Sequence, residues 1–308
     1  MERRMYMNEV RKRIHYDCRE TREKGGKSKW CKGQGITAAI LDTGISAHPD
    51  LAGRVVFFRD FINGRVGAYD DCAHGTHVAG ILAGNGKLSG GKYAGIAPKC
   101  KICMLKVLDR QGNGSIEHFL MGIDWILQNH HDYRIRVVNL SVGMPEGENE
   151  KRERALMEAV EELWDAGLTV VVSAGNAGPD AGTIAVPGTS RKVITVGAAE
   201  NGLAKGAYSG RGPTKECVIK PDVTAPGTRV ISCNAWYGQG NASAYMRKSG
   251  TSMATPVVAG AAALLLSRWR DMTNVEAKLR MIQSSDVGQS GDVCGMLNVK
   301  RLLEAAWS

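Results

Sequence analysis

Gly250-Thr251-Ser252-Met253-Ala254-Thr255-Pro256 runs directly into Val257-Val258-Ala259-Gly260-Ala261-Ala262-Ala263-Leu264-Leu265-Leu266. No charged residue lies between Met253 and Leu266, and Ala and Leu dominate, so the stretch predicts a helix buried on every side. Pro256 fits a first helical turn, where backbone N–H groups have no helical partner to lose. Ser252 is thereby placed at a helix N-terminus. The unpaired N–H groups and positive dipole end there favour a developing negative charge. An acyl-transfer nucleophile belongs in such a place, but so does a serine that merely caps a core helix. The heptapeptide leaves both readings open. They are separated by whether the chain also supplies a base, an orienting acid and an oxyanion donor.

Working back from Ser252, the chain alternates strands and helices. Ile36–Leu41 is a short apolar run closed by Asp42-Thr43-Gly44, the pattern of a buried parallel strand that delivers a side chain at its C-terminal end. Strands are also predicted over 55–61, 101–108, 137–142, 168–172 and 193–196. Helices are predicted from His74, over the stripe Ile116, Phe119, Leu120, Ile123 and Leu127, and over Leu156, Val160 and Leu163, ending at Gly167. Residues 205–250 read as irregular. Thr273 and Glu276 form a capping box for a further helix, and a short last helix covers about 299–306. This alternation predicts an α/β fold: one domain over 35–308 with a doubly wound, mainly parallel sheet and helices on both faces.

The chain has 308 residues, 43% hydrophobic and 23% charged, with 38 glycines, the balance of a soluble globular protein with many tight loops. The formal net charge is +9, and much of the excess falls in residues 1–34, read as a basic N-terminal arm holding one or two helical turns. Such an arm is read as a solvated terminus, with no nucleic-acid partner expected. No apolar run approaches the length of a bilayer span, so no membrane partner is expected either. The start, Met1 to Arg13, shows no apolar signal region, and eight cysteines are scattered along the chain. Together these predict reduced thiols and a cytoplasmic address.

Asp42 ends a strand, while His74 and Ser252 each start a helix. In a doubly wound sheet these ends share one edge, so residues remote in sequence can meet in one crevice. A hydroxyl is a poor nucleophile until an imidazole takes its proton. The imidazole in turn needs a carboxylate to fix its tautomer and stabilise its cation. Asn176 also follows a strand, and its amide together with the Ser252 N–H would make an oxyanion hole.

Asp42-Thr43-Gly44, His74-Gly75-Thr76-His77-Val78-Ala79-Gly80, Ala174-Gly175-Asn176 and Gly250 to Pro256 resemble the four signature blocks of the subtilases, in the order Asp, His, Ser known for subtilisin. The resemblance runs from about Ile36 to the C-terminus. It implies a serine endopeptidase of broad specificity, with Asp42 as orienting acid, His74 as base, Ser252 as nucleophile and Asn176 as oxyanion donor. It further implies that Ser141-Val142-Gly143 and Ser173-Ala174-Gly175 wall the pocket for the residue before the scissile bond (P1). Gly112-Asn113-Gly114 would pair with extended polypeptide substrate. It places Cys72 beside the P2 position, where two readings stay open: a thiol so near an imidazole gains some thiolate character, or it only packs against the substrate wall. It also marks Pro187 for a cis peptide bond. The pocket segments carry no charge, so large apolar P1 side chains are expected, with Asp180 as the one nearby acid. The rival reading is a catalytically silent binding protein on the same fold.

His74 and His77 lack a third ligand and are not read as a metal pair. Cys100 and Cys103 would face opposite sides of a strand, which argues against chelation. Only 41 residues precede Asp42, too few for the folding prodomain of secreted subtilases, so the chain resembles the intracellular-type branch or a fragment. Asn85 to Lys92 replaces the calcium loop of secreted members and contains no carboxylate, a poor nest for a hard cation. No cofactor is required for the expected chemistry; structural calcium is left possible elsewhere. The oligomeric state is not legible.

Overall fold

The computed structural model describes residues 7–16, 31–144, 147, 149–199, 208–286 and 294–304. Seven strands form one parallel sheet: β1 (Thr37–Asp42), β2 (Val55–Asp60), β3 (Lys101–Lys106), β4 (Ile135–Leu140), β5 (Thr169–Ser173), β6 (Ile194–Ala199) and β7 (Val223–Pro226). Their spatial order is β2-β3-β1-β4-β5-β6-β7. From β1 the chain first builds one side of the sheet, then returns to build the other beyond β4. The direction therefore switches between β1 and β4, where an open α/β sheet leaves a crevice beyond its strand ends. β1 and β5 are buried along their whole length, as continuous apolar runs covered on both faces must be.

Helices α2 (His74–Ala83) and α5 (Thr251–Arg268) pack on one another and against the sheet. Helices α3 (Ile116–Asn129) and α4 (Glu150–Asp165) make a second pair, touching β1 and β5 respectively. α5 is the spine of the core, lying against β4, β5, β6 and β7. Every residue of α5 is buried except Ser252 and Arg268. That explains a sequence with no polar stripe. Gly260 lies where an added Cβ would come within 2.7 Å of the Ile96 Cβ, so this helix face admits no side chain there. α6 (Asn274–Ser284) starts at the predicted capping box: Glu276 N–H donates to Thr273 Oγ1 at 3.2 Å, and Thr273 N–H donates to Glu276 Oε2 at 2.7 Å. A short α7 (Val299–Glu304) follows. The Val186–Pro187 bond is cis.

Four details differ from the sequence reading. The helix carrying Ser252 begins one residue earlier, at Thr251, capped by Gly250 with φ 150°. Pro256 therefore sits in the second turn and removes the N–H that would have bonded the Ser252 carbonyl. Residues 205–250 are not wholly irregular. They hold β7 and an antiparallel pair, β8 (Val230–Cys233) and β9 (Tyr245–Lys248). The expected strand 101–108 ends at Lys106.

The fourth difference concerns residues 7–16 of the basic arm; 1–6 and 17–30 lie outside the described residues. α1 (Met7–Arg13) is the expected short helix, but it is not solvated: Met7, Val10 and Ile14 are fully buried, and α1 packs on β8. The Arg11 guanidinium donates to the Ala94 carbonyl and, at 3.0 Å, to the Gly91 carbonyl. The three apolar residues recur at helical spacing, a stripe that the surrounding Arg and Lys hide from a composition count. Among the described residues, no helix is long and apolar enough to cross a membrane.

Candidate active site

Asp42 is the last residue of β1 and is fully buried. Its Oδ1 accepts the Thr43 N–H at 2.7 Å and the His74 Nδ1–H at 2.7 Å. A carboxylate only accepts, so this contact puts the proton on Nδ1 and leaves the Nε2 lone pair on the open side of the ring. Burial pulls the His74 pKa down, but the charge and hydrogen bond of Asp42 outweigh it, and the net shift is upward from 6.5.

His74 needs its own support. It opens α2 directly after Ala73, whose φ of 64° is left-handed and which offers no side-chain cap. Asp70 supplies the cap from outside the helix. Its Oδ1 accepts the Ala73 N–H at 2.9 Å and its Oδ2 accepts the Thr76 N–H at 2.8 Å. Thr76 Oγ1 and Thr43 Oγ1 donate to the same carboxylate at 2.6 and 2.8 Å, and Thr43 Oγ1 accepts the Gly75 N–H at 2.9 Å. Asp70 thus ties the end of β1 to the start of α2. It fixes the acid–base pair without touching it. Asp70 is not among the site residues expected from sequence; the available signal is an Asp just ahead of a helix start. Fully buried Lys106 braces the same loops, donating to the Thr43 carbonyl at 2.6 Å and to Asp71 Oδ1 at 2.8 Å.

Ser252 is the second residue of α5, not its cap, which disposes of the capping interpretation. Its N–H lies in the first turn, where the helix provides no acceptor. The Thr251 N–H beside it donates to Asn176 Oδ1 at 2.9 Å, as does Thr251 Oγ1 at 3.1 Å. A backbone N–H can only donate, so the Asn176 oxygen is the atom engaged and its Nδ2 is left for the cleft.

The cleft, about 510 Å³, is lined by His74, Ser252, Asn176, Cys72, Gly112, Ser141, Val142, Gly143, Ser173 and Gly175, all expected from sequence. Ala185 lies between the two wall segments. A Cβ on Gly143 or Gly175 would come within 2.8 or 2.7 Å of the Ala185 Cβ, so the walls are as close as glycine allows. Ala174 is buried behind the wall, and Asn113 and Gly114 are outside the lining, in the exposed continuation of the Gly112 loop. Asp180 is exposed and is not part of the lining. Lys248, unremarked in the sequence, is part of it.

Of the two readings of Cys72, the unreactive one fits its surroundings. Burial and the charge of Asp70 raise its pKa, so it stays a thiol and gains no thiolate character; the neighbouring imidazole is engaged with Asp42 instead. Cys100 and Cys103 are buried, with burial holding both thiols up at about 12. His77 is a core residue: burial depresses its pKa to about 3, and its Nε2–H is shared between the Val230 and Met246 carbonyls at 3.1 and 3.2 Å.

His48, Asp50 and Cys233 bring their ligand-type atoms within 4.8 Å of one another. The cluster is already hydrogen-bonded. Asp50 Oδ1 accepts the Leu88 N–H at 2.9 Å and Oδ2 the Tyr245 hydroxyl at 2.7 Å. His48 Nδ1 accepts the Asp50 N–H at 3.1 Å, and its Nε2–H donates to the Ala244 carbonyl at 2.8 Å. Burial pushes the Cys233 thiol well up, away from the thiolate a metal needs. These residues do not fit a cation site.

Comparison with known proteins agrees with this geometry. Residues 33–299 match the model of the subtilase family. The serine protease AprX of Bacillus subtilis (strain 168) is 41% identical over 84% of this chain, which spans 63% of the AprX length. Subtilisin DY of Bacillus licheniformis is 35% identical over 87% of this chain and 91% of its own. Among solved structures, Sphericase superposes with a TM-score of 0.76 at 26% identity, covering 94% of this chain and 96% of that one. A cold adapted subtilisin-like serine proteinase superposes with a TM-score of 0.70 at 29% identity, covering 87% and 90%. With a doubly wound parallel sheet, a His74–Asp42 pair at its switch point and these relatives, the chain belongs to the subtilase family.

Proposed function

We propose that the protein is a serine endopeptidase that hydrolyses polypeptides through Asp42, His74 and Ser252. The observation that carries this reading is the 2.7 Å bond from His74 to buried Asp42, with Ser252 on the same cleft at a helix N-terminus. His74 Nε2 takes the Ser252 Oγ proton as the oxygen attacks the peptide carbonyl. Asn176 Nδ2–H and the Ser252 N–H receive the oxyanion. His74 then gives its proton to the leaving amine, the C–N bond breaks, and an ester to Ser252 is left; water, activated by the same imidazole, hydrolyses it.

The neutral walls around Ala185 support a preference for large apolar P1 side chains, and Asp180 takes no part in the pocket. The Gly112 loop pairs with the substrate backbone. That mode uses groups every peptide offers and supports broad specificity. A cytoplasmic site of action and chemistry without a cofactor belong to the same proposal, resting on the scattered cysteines and on the two residues that receive the oxyanion.

A fluorophosphonate probe tests the assignment. It labels Ser252 in the wild type, and Ser252→Ala loses label and about a thousandfold or more in peptidase rate while folding normally. An unlabelled, inactive but folded wild type would support the rival, a catalytically silent binding protein.

A further inference from the structure

Lys248 ends β9, four residues before Ser252, and lines the cleft. It is half-buried and makes no ion pair among the described residues. The nearby carboxylates are committed elsewhere: Asp42 to His74, Asp70 to the start of α2, and Asp71 to Lys106. The charge of Lys248 reaches the site all the same, opposing protonation of His74 and His77 and favouring ionisation of Cys72. A cation on the cleft lining with no ion pair among the described residues is a feature that neutral P1 walls leave unexplained.

Its flank of Ser252 gives it a partner. The P1 walls come from the ends of β4 and β5. Lys248 belongs to the β8–β9 pair, pinned to α2 by His77 Nε2–H on the Val230 and Met246 carbonyls and by Ser232 Oγ–H on the His77 carbonyl at 2.8 Å. Lys248 is therefore on the same flank as His74. In acyl transfer the base hands its proton to the departing amine, so the leaving peptide passes on the base's flank. Resting on the peptidase reading above, we infer that Lys248 is a specificity-determining residue that selects substrates with an acidic side chain in the first two positions after the scissile bond. The protein's ordering of the cleft is then polar in a second sense: apolar side chains before the bond, carboxylates after it. A partly exposed ion pair stabilises modestly, and a lysine in the substrate is repelled by a similar amount, so discrimination between Glu and Lys is roughly tenfold. Salt weakens it.

Three peptides with Leu at P1 and Glu-Glu, Gln-Gln or Lys-Lys after the bond test this, each with the wild type, Lys248→Gln, Lys248→Glu and Lys248→Arg. The expected wild-type order of kcat/KM is Glu-Glu over Gln-Gln over Lys-Lys, narrowing at high salt. Lys248→Arg keeps the order, Lys248→Gln flattens it and Lys248→Glu inverts it. Equal wild-type rates, or a Glu-Glu preference that survives in Lys248→Gln, overturn the proposal while leaving the peptidase reading intact. No cleavage of any peptide by the wild type overturns both.

Discussion

Asn176 is oriented by Thr251, the residue directly before Ser252: its Oδ1 accepts both the Thr251 N–H and the Thr251 hydroxyl. The donor proposed for the oxyanion and the proposed nucleophile are therefore fixed to one another through a single residue. This is the preorganisation that makes such a donor effective, because no dipole has to turn as charge develops. Asn176→Ala is expected to lower kcat about 10²–10³-fold with little change in KM, the known cost of removing a side-chain donor of this kind from subtilisin. Steady-state kinetics check it; an unchanged kcat would move the donor elsewhere.

On the proposed mechanism, the upward shift of His74 sets the acid limb of activity. The base works only when neutral, and a raised pKa keeps more of it protonated at a given pH. The rate kcat/KM is thus expected to fall, as pH drops, through a midpoint above 6.5. Asp42→Asn removes the attraction that raises it. Its residual activity, lower by about 10⁴-fold, should have its midpoint below that of the wild type. A wild-type midpoint at or under 6.5 would contradict the upward shift that Asp42 imposes on His74.

Cys72 lines the cleft as a thiol with a raised pKa. Bulky thiol reagents are expected to inhibit slowly at neutral pH and faster as pH rises, by filling the region beside P2. Cys72→Ser should abolish that inhibition while keeping most activity. Cys217 is exposed and outside the cleft lining, so mass spectrometry of the modified thiol accompanies the assay. Full sensitivity of Cys72→Ser would remove this thiol from the cleft wall.

Buried His77 links pH to stability. Its folded pKa is depressed to about 3, against 6.5 when exposed, so between those values the unfolded chain binds the extra proton. The stability is fully present above pH 6.5 and is lost as pH falls toward 3. Between pH 7 and 5 this residue alone accounts for roughly 2 kcal/mol. Denaturant unfolding at the two pH values should show that loss in the wild type and a smaller one in His77→Gln, which keeps N–H donors but does not titrate. Equal losses would mean that other groups carry the effect.

Asp42, His74, Asn176 and Ser252 were legible because each falls at a strand end or helix start that local patterning marks, and the sheet topology then collects them. The parallel architecture was legible for the same reason. What escaped were interactions whose partners lie far apart in the chain. Asp70 acts on Thr43 and Thr76 across the β1–α2 junction, and no local pattern reveals that. β8 and β9 hold no apolar alternation strong enough to register, since they are short and pinned by His77. α1 was concealed by its own charge. Lys248 went unnoticed because a lone lysine has no pattern at all.

The placement of Ser252 on α5 also bears on the order in which a new chain matures. Synthesis delivers Asp42 and His74 long before residue 251, and α5, the helix that packs on all of β4 to β7, follows every strand of the sheet in the chain. The same helix fills the core and carries the proposed nucleophile. On the proposed mechanism, a chain that still lacks α5 holds the base without its nucleophile, and hydrolysis waits for the event that closes the fold.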